Sequence, residues 1–406
     1  MTALPVDATR HENLVARRLE ARGDGGQAEA LLALRGVVVG GRHRLDSLYA
    51  VGGEGAVFLT RDLRDPHGPQ SVAKIPLLPL HRPFLLDTRT IRRQRDNLRV
   101  EARYLETSGA LCLPRYRGTF EFQNPLLDHD RGDVFAEPEP LLLMEKLPGR
   151  DLDRWLARMH RSRVPQVQMR RTLDRVAVVL LQGLLELYER GFLYADLRPA
   201  NLRMMGRPDR IVRLLDAGSL VAVHDRSGRF PHVPAYLPPG VLAAQREGRT
   251  IVPTVDVQAV MAGRTLYEVA TGLVPRPGEN VDLSALPGSN VSPPVAQVIE
   301  GLCAGDFGNV RHALRYLRRR AARRVSKGND PRRISQRAEP RDGVVAAAEP
   351  APPRTAAAVP AAAHHTAAHA PDVPLRTPSS VVVPDARTPE PLWRRALAAV
   401  QRLLRL

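Results

Sequence analysis

The chain has 406 residues, 43% of them hydrophobic, and a formal net charge of +17. Its length suits two or three domains, or one bilobal domain with tails, and its apolar share supports a sizeable core. No apolar run approaches the roughly 20 residues that span a bilayer, and residues 1–10 lack the basic-then-apolar order of a secretory leader, so a cytoplasmic location is expected.

Residues 1–40 read as an N-terminal helical extension, with helical stretches near 13–22 and 27–34 separated by Gly23-Asp24-Gly25-Gly26. From His43 the apolar spacing turns strand-like. Ala56-Val57-Phe58-Leu59 and Val72-Ala73-Lys74-Ile75 flank turn residues 65–69, which predicts a hairpin with a long loop. A helix over about 87–108 follows, with Asp87 as N-cap and Gly109 as its stop. Leu141-Leu142-Leu143-Met144 predicts a buried strand. Long helices are expected over 169–190 and 257–271, closed by Gly191 and Gly272, and helices near 294–303 and 309–324 end the folded part.

Residues 325–389 are rich in Ala and Pro and hold no Phe, Trp or Tyr, so they read as a disordered linker unable to bury a core. A metal site at its His364, His365 and His369 is the weaker reading of those side chains. Residues 390–406 regain helical period, with Leu392, Trp393, Leu397, Val400 and Leu404 on one face and Arg394, Arg395, Arg402 and Arg405 largely off it. Such a basic amphipathic helix over 391–406 suits an anionic membrane surface or an acidic partner, or docks back on its own domain.

The basic excess is local. Residues 311–337 carry 11 Arg or Lys against Asp330 alone, which fits an anionic partner or a solvated helix face. Tyr316 is the one aromatic in that run, and no nucleic-acid motif accompanies it. The two cysteines, Cys112 and Cys303, lie far apart in apolar surroundings and read as buried thiols.

The chemistry concentrates in Tyr194-Ala195-Asp196-Leu197-Arg198-Pro199-Ala200-Asn201 and in Leu215-Asp216-Ala217-Gly218. An Asp, an Asn five residues on, and a second Asp opening a D-x-G turn form the acidic half of a phosphoryl-transfer site. That reaction asks a protein mainly to hold metal ions and orient a hydroxyl. Upstream lie Gly52, Gly53 and Gly55, whose backbone can approach phosphates closely, and then Lys74. Lysine occurs only at 74, 146 and 327 in this arginine-rich chain, so its retention at 74 marks a place where Lys and Arg differ chemically.

In this order the motifs resemble those of the eukaryotic-like Ser/Thr protein kinases of bacteria, as a divergent member, over roughly residues 41–322. The resemblance implies an α+β, bilobal kinase-like fold spanning 41–324, with a β-rich N-lobe of about 41–145, a helical C-lobe of about 149–324 and a disordered tail. It implies ATP and Mg²⁺ as cofactors and protein Ser/Thr hydroxyls as acceptors, this chain's own included. ATP would be held by Gly52, Gly53, Gly55, Val57, Ala73, Lys74, the hinge residues Met144, Glu145 and Leu147, and Asp151 beside the ribose. Glu101, with Glu106 as runner-up, would pair with Lys74; Asn201 and Asp216 would take Mg²⁺. Asp196 would orient the hydroxyl, and Arg198 would stand for the usual Lys at the γ-phosphate.

The departures are specific. Ala50 replaces the first glycine, and Ala195 the Arg that would receive an activation-loop phosphate. Ala217 replaces the Phe of the D-x-G turn, and Arg203 falls where an apolar floor under adenine is usual, unless the local register shifts. Pro234 to Gly240 resembles the end of the activation segment, with Gly240 in place of a Glu whose partner would be Arg311, and Val233 in place of a Thr. Asp256-Val257 resembles the pair that braces the catalytic loop, although counting back from Tyr267 points to Gln258. Two alternatives to an active protein kinase follow: a pseudokinase scaffold, or a kinase-fold enzyme acting on a small molecule.

Overall fold

A computed structural model describes residues 6–328, apart from 22–23, 54, 79–86, 128–129, 131, 163–164, 206–210, 224, 226–229, 231 and 287. The linker beyond Gly328, the expected 390–406 helix and Glu54 of the Gly-rich turn lie outside the described residues. The fold is mixed α+β, with a β-rich N-terminal region and helices after it.

Helices α1 (Val6–Glu20) and α2 (Gly25–Ala33) precede a short β1 (Val38–Val39). Strands β2 (His43–Val51), β3 (Gly55–Asp62) and β4 (Ser71–Pro76) follow, and the expected hairpin is β3 against β4, in register Val57 opposite Lys74. After α3 (Thr88–Ser108) come β5 (Tyr116–Phe122), the single turn α4 (Asp133–Ala136) and β6 (Glu139–Glu145). These strands form one six-stranded sheet in the order β1-β2-β3-β4-β6-β5.

Side chains alternate across a strand, and here both faces are covered. Val15, Ala16, Leu19, Ala28, Leu31 and Leu34 of the N-terminal helices and the turn after them share a core with Leu45, Phe58, Ala73, Ile75, Leu141 and Leu143. The opposite face meets α3 through Val72, Leu98, Ala102, Leu105, Leu142 and Met144. Every residue of β4 is therefore buried. Helices α1 and α2 are thus a covering layer of the sheet, tied to it further by Glu12, whose carboxylate accepts the Leu48 N–H at 2.9 Å.

Helix α3 starts and stops as its local sequence predicts. Asp87 accepts the Thr90 N–H at 2.6 Å, and Gly109 takes the left-handed conformation at φ 49°. Its Arg95 is fully buried and reaches Val134 O and Glu139 Oε1, at 2.6 and 2.8 Å.

Beyond β6 the chain makes β7 (Arg150–Asp151), α5 (Leu152–Arg161) and α6 (Gln166–Glu189). Four short strands then alternate with turns: β8 (Phe192–Tyr194), β9 (Leu202–Met204), β10 (Val212–Leu214) and β11 (Leu220–Ala222). They pair as β10-β9-β7 and as β11-β8. Helices α7 (Pro239–Arg246), α8 (Val255–Thr271), α9 (Pro293–Ala304) and α10 (Val310–Gly328) complete the described chain. Helix α10 runs four residues past the expected boundary at 324. Leu181, Leu184, Met261, Leu266, Ile299, Leu302 and Leu314 join these helices in the main core. No helix among the described residues is long and apolar enough to cross a membrane. Cys112 and Cys303 are free thiols, half-buried against that core rather than fully enclosed.

Candidate functional site

Strand β4 carries Lys74 on the face toward α3, and the two elements bring Lys74 and Glu101 together although 27 residues separate them: Nζ donates to Oε2 at 2.7 Å. The same ammonium donates to Asp216 Oδ1 at 3.0 Å, across 142 residues of sequence. Glu106 lies on the exposed side of α3, so the runner-up is excluded as the partner by helix geometry. Burial opposes the charge on Lys74, but Asp216 and Glu101 outweigh it and hold the ammonium well above the ordinary lysine range. Burial pushes the Glu101 carboxyl up to about 7 against the pull of Lys74. Asp216 is lowered, because Lys74 and the Gly218 N–H at 3.1 Å overcome its desolvation.

The acidic loops are the connections after β8 and β10, held side by side by the Leu215 N–H donating to Asn201 O at 2.9 Å. Asn201 Nδ2 donates to Asp196 Oδ2 at 2.7 Å and to its carbonyl at 2.9 Å, and Arg198 Nε reaches the same Oδ2 at 3.1 Å. Asp196 Oδ1 is buried with no protein partner. Asp196, Arg198 and Asn201 form one cluster; Lys74, Glu101 and Asp216 form another, and the Leu215–Asn201 bond joins them.

No family model and no curated protein matches this chain.

The Gly-rich turn is the β2–β3 connection, closed by the Gly52 N–H donating to Gly55 O at 2.9 Å. Gly52 and Gly53 are exposed, while a Cβ on Gly55 would stand 2.7 Å from Lys74 Cε, so only glycine lets the turn pass over the lysine. Val57 lies opposite Lys74 and shares its face. Ala73 does not: it packs toward the N-terminal helices, and Val72 is the residue on the Lys74 face, opposite Met144. The period of two in a strand sets this, since 72 and 74 share a side and 73 cannot.

At the hinge, Met144 and Leu147 are buried. Glu145 accepts the Arg115 N–H and Arg213 Nη1, each at 3.0 Å, and these partners outweigh burial to lower its carboxyl. Asp151 occupies the N-cap position of α5 but makes no side-chain cap bond. Its carboxylate instead accepts Arg203 Nη1 at 2.6 Å. The register around Arg203 is regular, opposite Asp151 on one side and Arg213 on the other, so no local shift removes it from the site.

Two supporting residues, Thr265 and Arg264, have no local sequence signal. Thr265 Oγ1 donates to Leu197 O at 2.7 Å, bracing from α8 the loop that carries Asp196 and Asn201. Asp256, expected in that role, is exposed at the start of α8, and Gln258 is buried. Tyr236 donates to Glu268, whose carboxyl burial raises. Arg264 is buried and donates to three backbone carbonyls, Ala235, Glu279 and Arg276, each at 2.8 Å. It anchors the segment for which Arg311 was expected; Arg311 instead pairs with Glu189 at 2.9 Å, and Gly240 is exposed.

Proposed function

We propose that this chain is an ATP- and Mg²⁺-dependent protein kinase of the eukaryotic-like Ser/Thr type, with a bilobal kinase-like fold, whose acceptors are protein hydroxyls. The observation that carries the reading is the Lys74–Glu101–Asp216 triad, assembled from three distant segments beside Asp196 and Asn201. A lysine held between two carboxylates, beside a buried carboxylate oxygen with no protein partner, is the kind of perturbed cluster that concentrates at functional sites.

The donor set fits Mg²⁺. Among the described residues no group of three His, Cys, Asp or Glu side chains forms a metal site, and Mg²⁺ characteristically takes one or two protein carboxylates plus phosphate oxygens and water. Asn201, whose Nδ2 is engaged by Asp196, offers its oxygen, and Asp216 offers its carboxylate. When bound there, Mg²⁺ offsets charge on the transferring phosphoryl group.

The chain's own residues supply the rest. Lys74, held by Glu101, orients the phosphates under the Gly52–Gly55 turn. Asp196 accepts the hydrogen bond of the attacking hydroxyl and aligns it. Arg198, bonded to Asp196, supports charge on the γ-phosphoryl group in the transition state.

The test is phosphate incorporation from labelled ATP with Mg²⁺ and a generic acceptor protein, comparing wild type with Asp196→Asn and Lys74→Ala. Label that both substitutions abolish supports a kinase; absence of label in folded wild type rejects it. The scaffold reading is favoured by one observation, Arg203 at the base position, and such a result would move the weight there.

A further inference from the structure

Arg203 bridges two sheets that no backbone pairing joins. Tyr49 belongs to β2 of the six-stranded sheet, whereas Asp151 and Arg203 belong to β7 and β9 of the three-stranded one. Arg203 Nη1 donates to Asp151 at 2.6 Å, Nη2 donates to the Tyr49 hydroxyl, and the guanidinium carbon stands 5.9 Å from the Tyr49 ring centroid. Lys146 Nζ approaches the same ring at 5.7 Å. Only 11% of the Arg203 side chain is exposed, so these charge-assisted bonds are shielded from water.

Under the kinase reading, on which this inference rests, a base would enter between these two sheets, toward Glu145 and Leu147, with its ribose near Asp151. We propose that Arg203 is a latch that competes with the nucleotide: with Tyr49 and Asp151 it closes the base side of the site. The phosphate side, Lys74 with Glu101 and Asp216, is already assembled. A nucleoside triphosphate therefore binds only by displacing Arg203 from Tyr49 and Asp151, and the residue that ties the sheets together also holds nucleotide affinity down. The apolar floor that the resemblance leads one to expect has no such bonds to break.

The experiment is calorimetric titration of the full chain with Mg·ATP and, separately, with Mg·tripolyphosphate, which lacks a base. Wild type is compared with Arg203→Leu and with Tyr49→Phe, which keeps the ring and removes only the hydroxyl; thermal melts report folding. The expected result is a Kd for Mg·ATP about tenfold lower in Arg203→Leu and about threefold lower in Tyr49→Phe, the scale of one or two lost hydrogen bonds. Tripolyphosphate affinity stays unchanged. Equal or weaker ATP binding in both folded variants overturns the latch while leaving the kinase reading intact. A matching gain for tripolyphosphate also overturns it, because the effect would then lie on the phosphate side. No ATP binding by any of the three proteins removes the nucleotide reading and the latch together.

Discussion

Replacing Arg264 by Met tests how the segment around Pro234–Tyr236 is held. The guanidinium bonds three carbonyls at 2.8 Å; the one to Ala235 is buried and those to Glu279 and Arg276 are part-buried. A buried carbonyl left without a donor costs about 1–3 kcal/mol, and a half-buried one that water can reach about 0.5–1 kcal/mol. Methionine fills the vacated space flexibly, and a buried guanidinium no longer has to be desolvated. The net loss is about 3 kcal/mol, which lowers Tm by roughly 5 °C for a domain of about 300 residues. The assay is urea denaturation followed by far-UV circular dichroism, with Arg264→Lys expected to fall between the two. A loss below about 1 kcal/mol at unchanged m-value would refute the reasoning, because the carbonyls would then be satisfied without the guanidinium.

Arg95→Met leaves Glu139 buried opposite an apolar side chain and is expected to destabilise by about 3–5 kcal/mol. Restoring neutrality with Glu139→Gln in the double variant should recover part of that loss in the same urea assay. Gly149→Ala places a Cβ 1.8 Å from Met204 O at φ +95°, so a loss of at least about 2 kcal/mol is expected; a neutral effect would show that β7 can move away from β9. For Glu101, the folded carboxyl titrates at about 7 against an ordinary 4.5. Its protonated form therefore favours the folded state: that contribution is full below about pH 4.5 and is lost as pH rises through about 7. The shift is worth on the order of 3 kcal/mol. Glu101→Gln should flatten the fall of Tm across this window, and parallel Tm profiles would contradict it. Under the proposed kinase reading, activity should fall on acidification below about pH 7 as Glu101 gains its proton and weakens its hold on Lys74.

Local signals in the sequence were sufficient for several elements. Asp87 and Gly109 bound α3 because a cap needs only residues within one turn. The Gly52–Gly55 turn, the β3–β4 hairpin and the Asp196, Asn201 and Asp216 positions follow from short-range spacing. What the sequence left open was settled by packing. Lys74 took Glu101 rather than Glu106 because α3 turns only the former toward β4. Val72, not the expected Ala73, shares the Lys74 face, because side chains alternate across the strand and Ala73 falls on the side of the N-terminal helices. Asp151 serves Arg203 instead of capping α5.

Thr265, Arg264 and Arg203 act on partners 68, 29 and 154 residues away in sequence. A side chain bonded to a distant carbonyl or hydroxyl leaves no periodicity, cap or turn signature in its own neighbourhood. Composition and spacing singled out the candidates for the proposed phosphoryl chemistry. Only the tertiary structure decided which of them meet, and that Arg203 bridges Tyr49 and Asp151, because those contacts depend on how two sheets and a helical layer stack rather than on any local run of the chain.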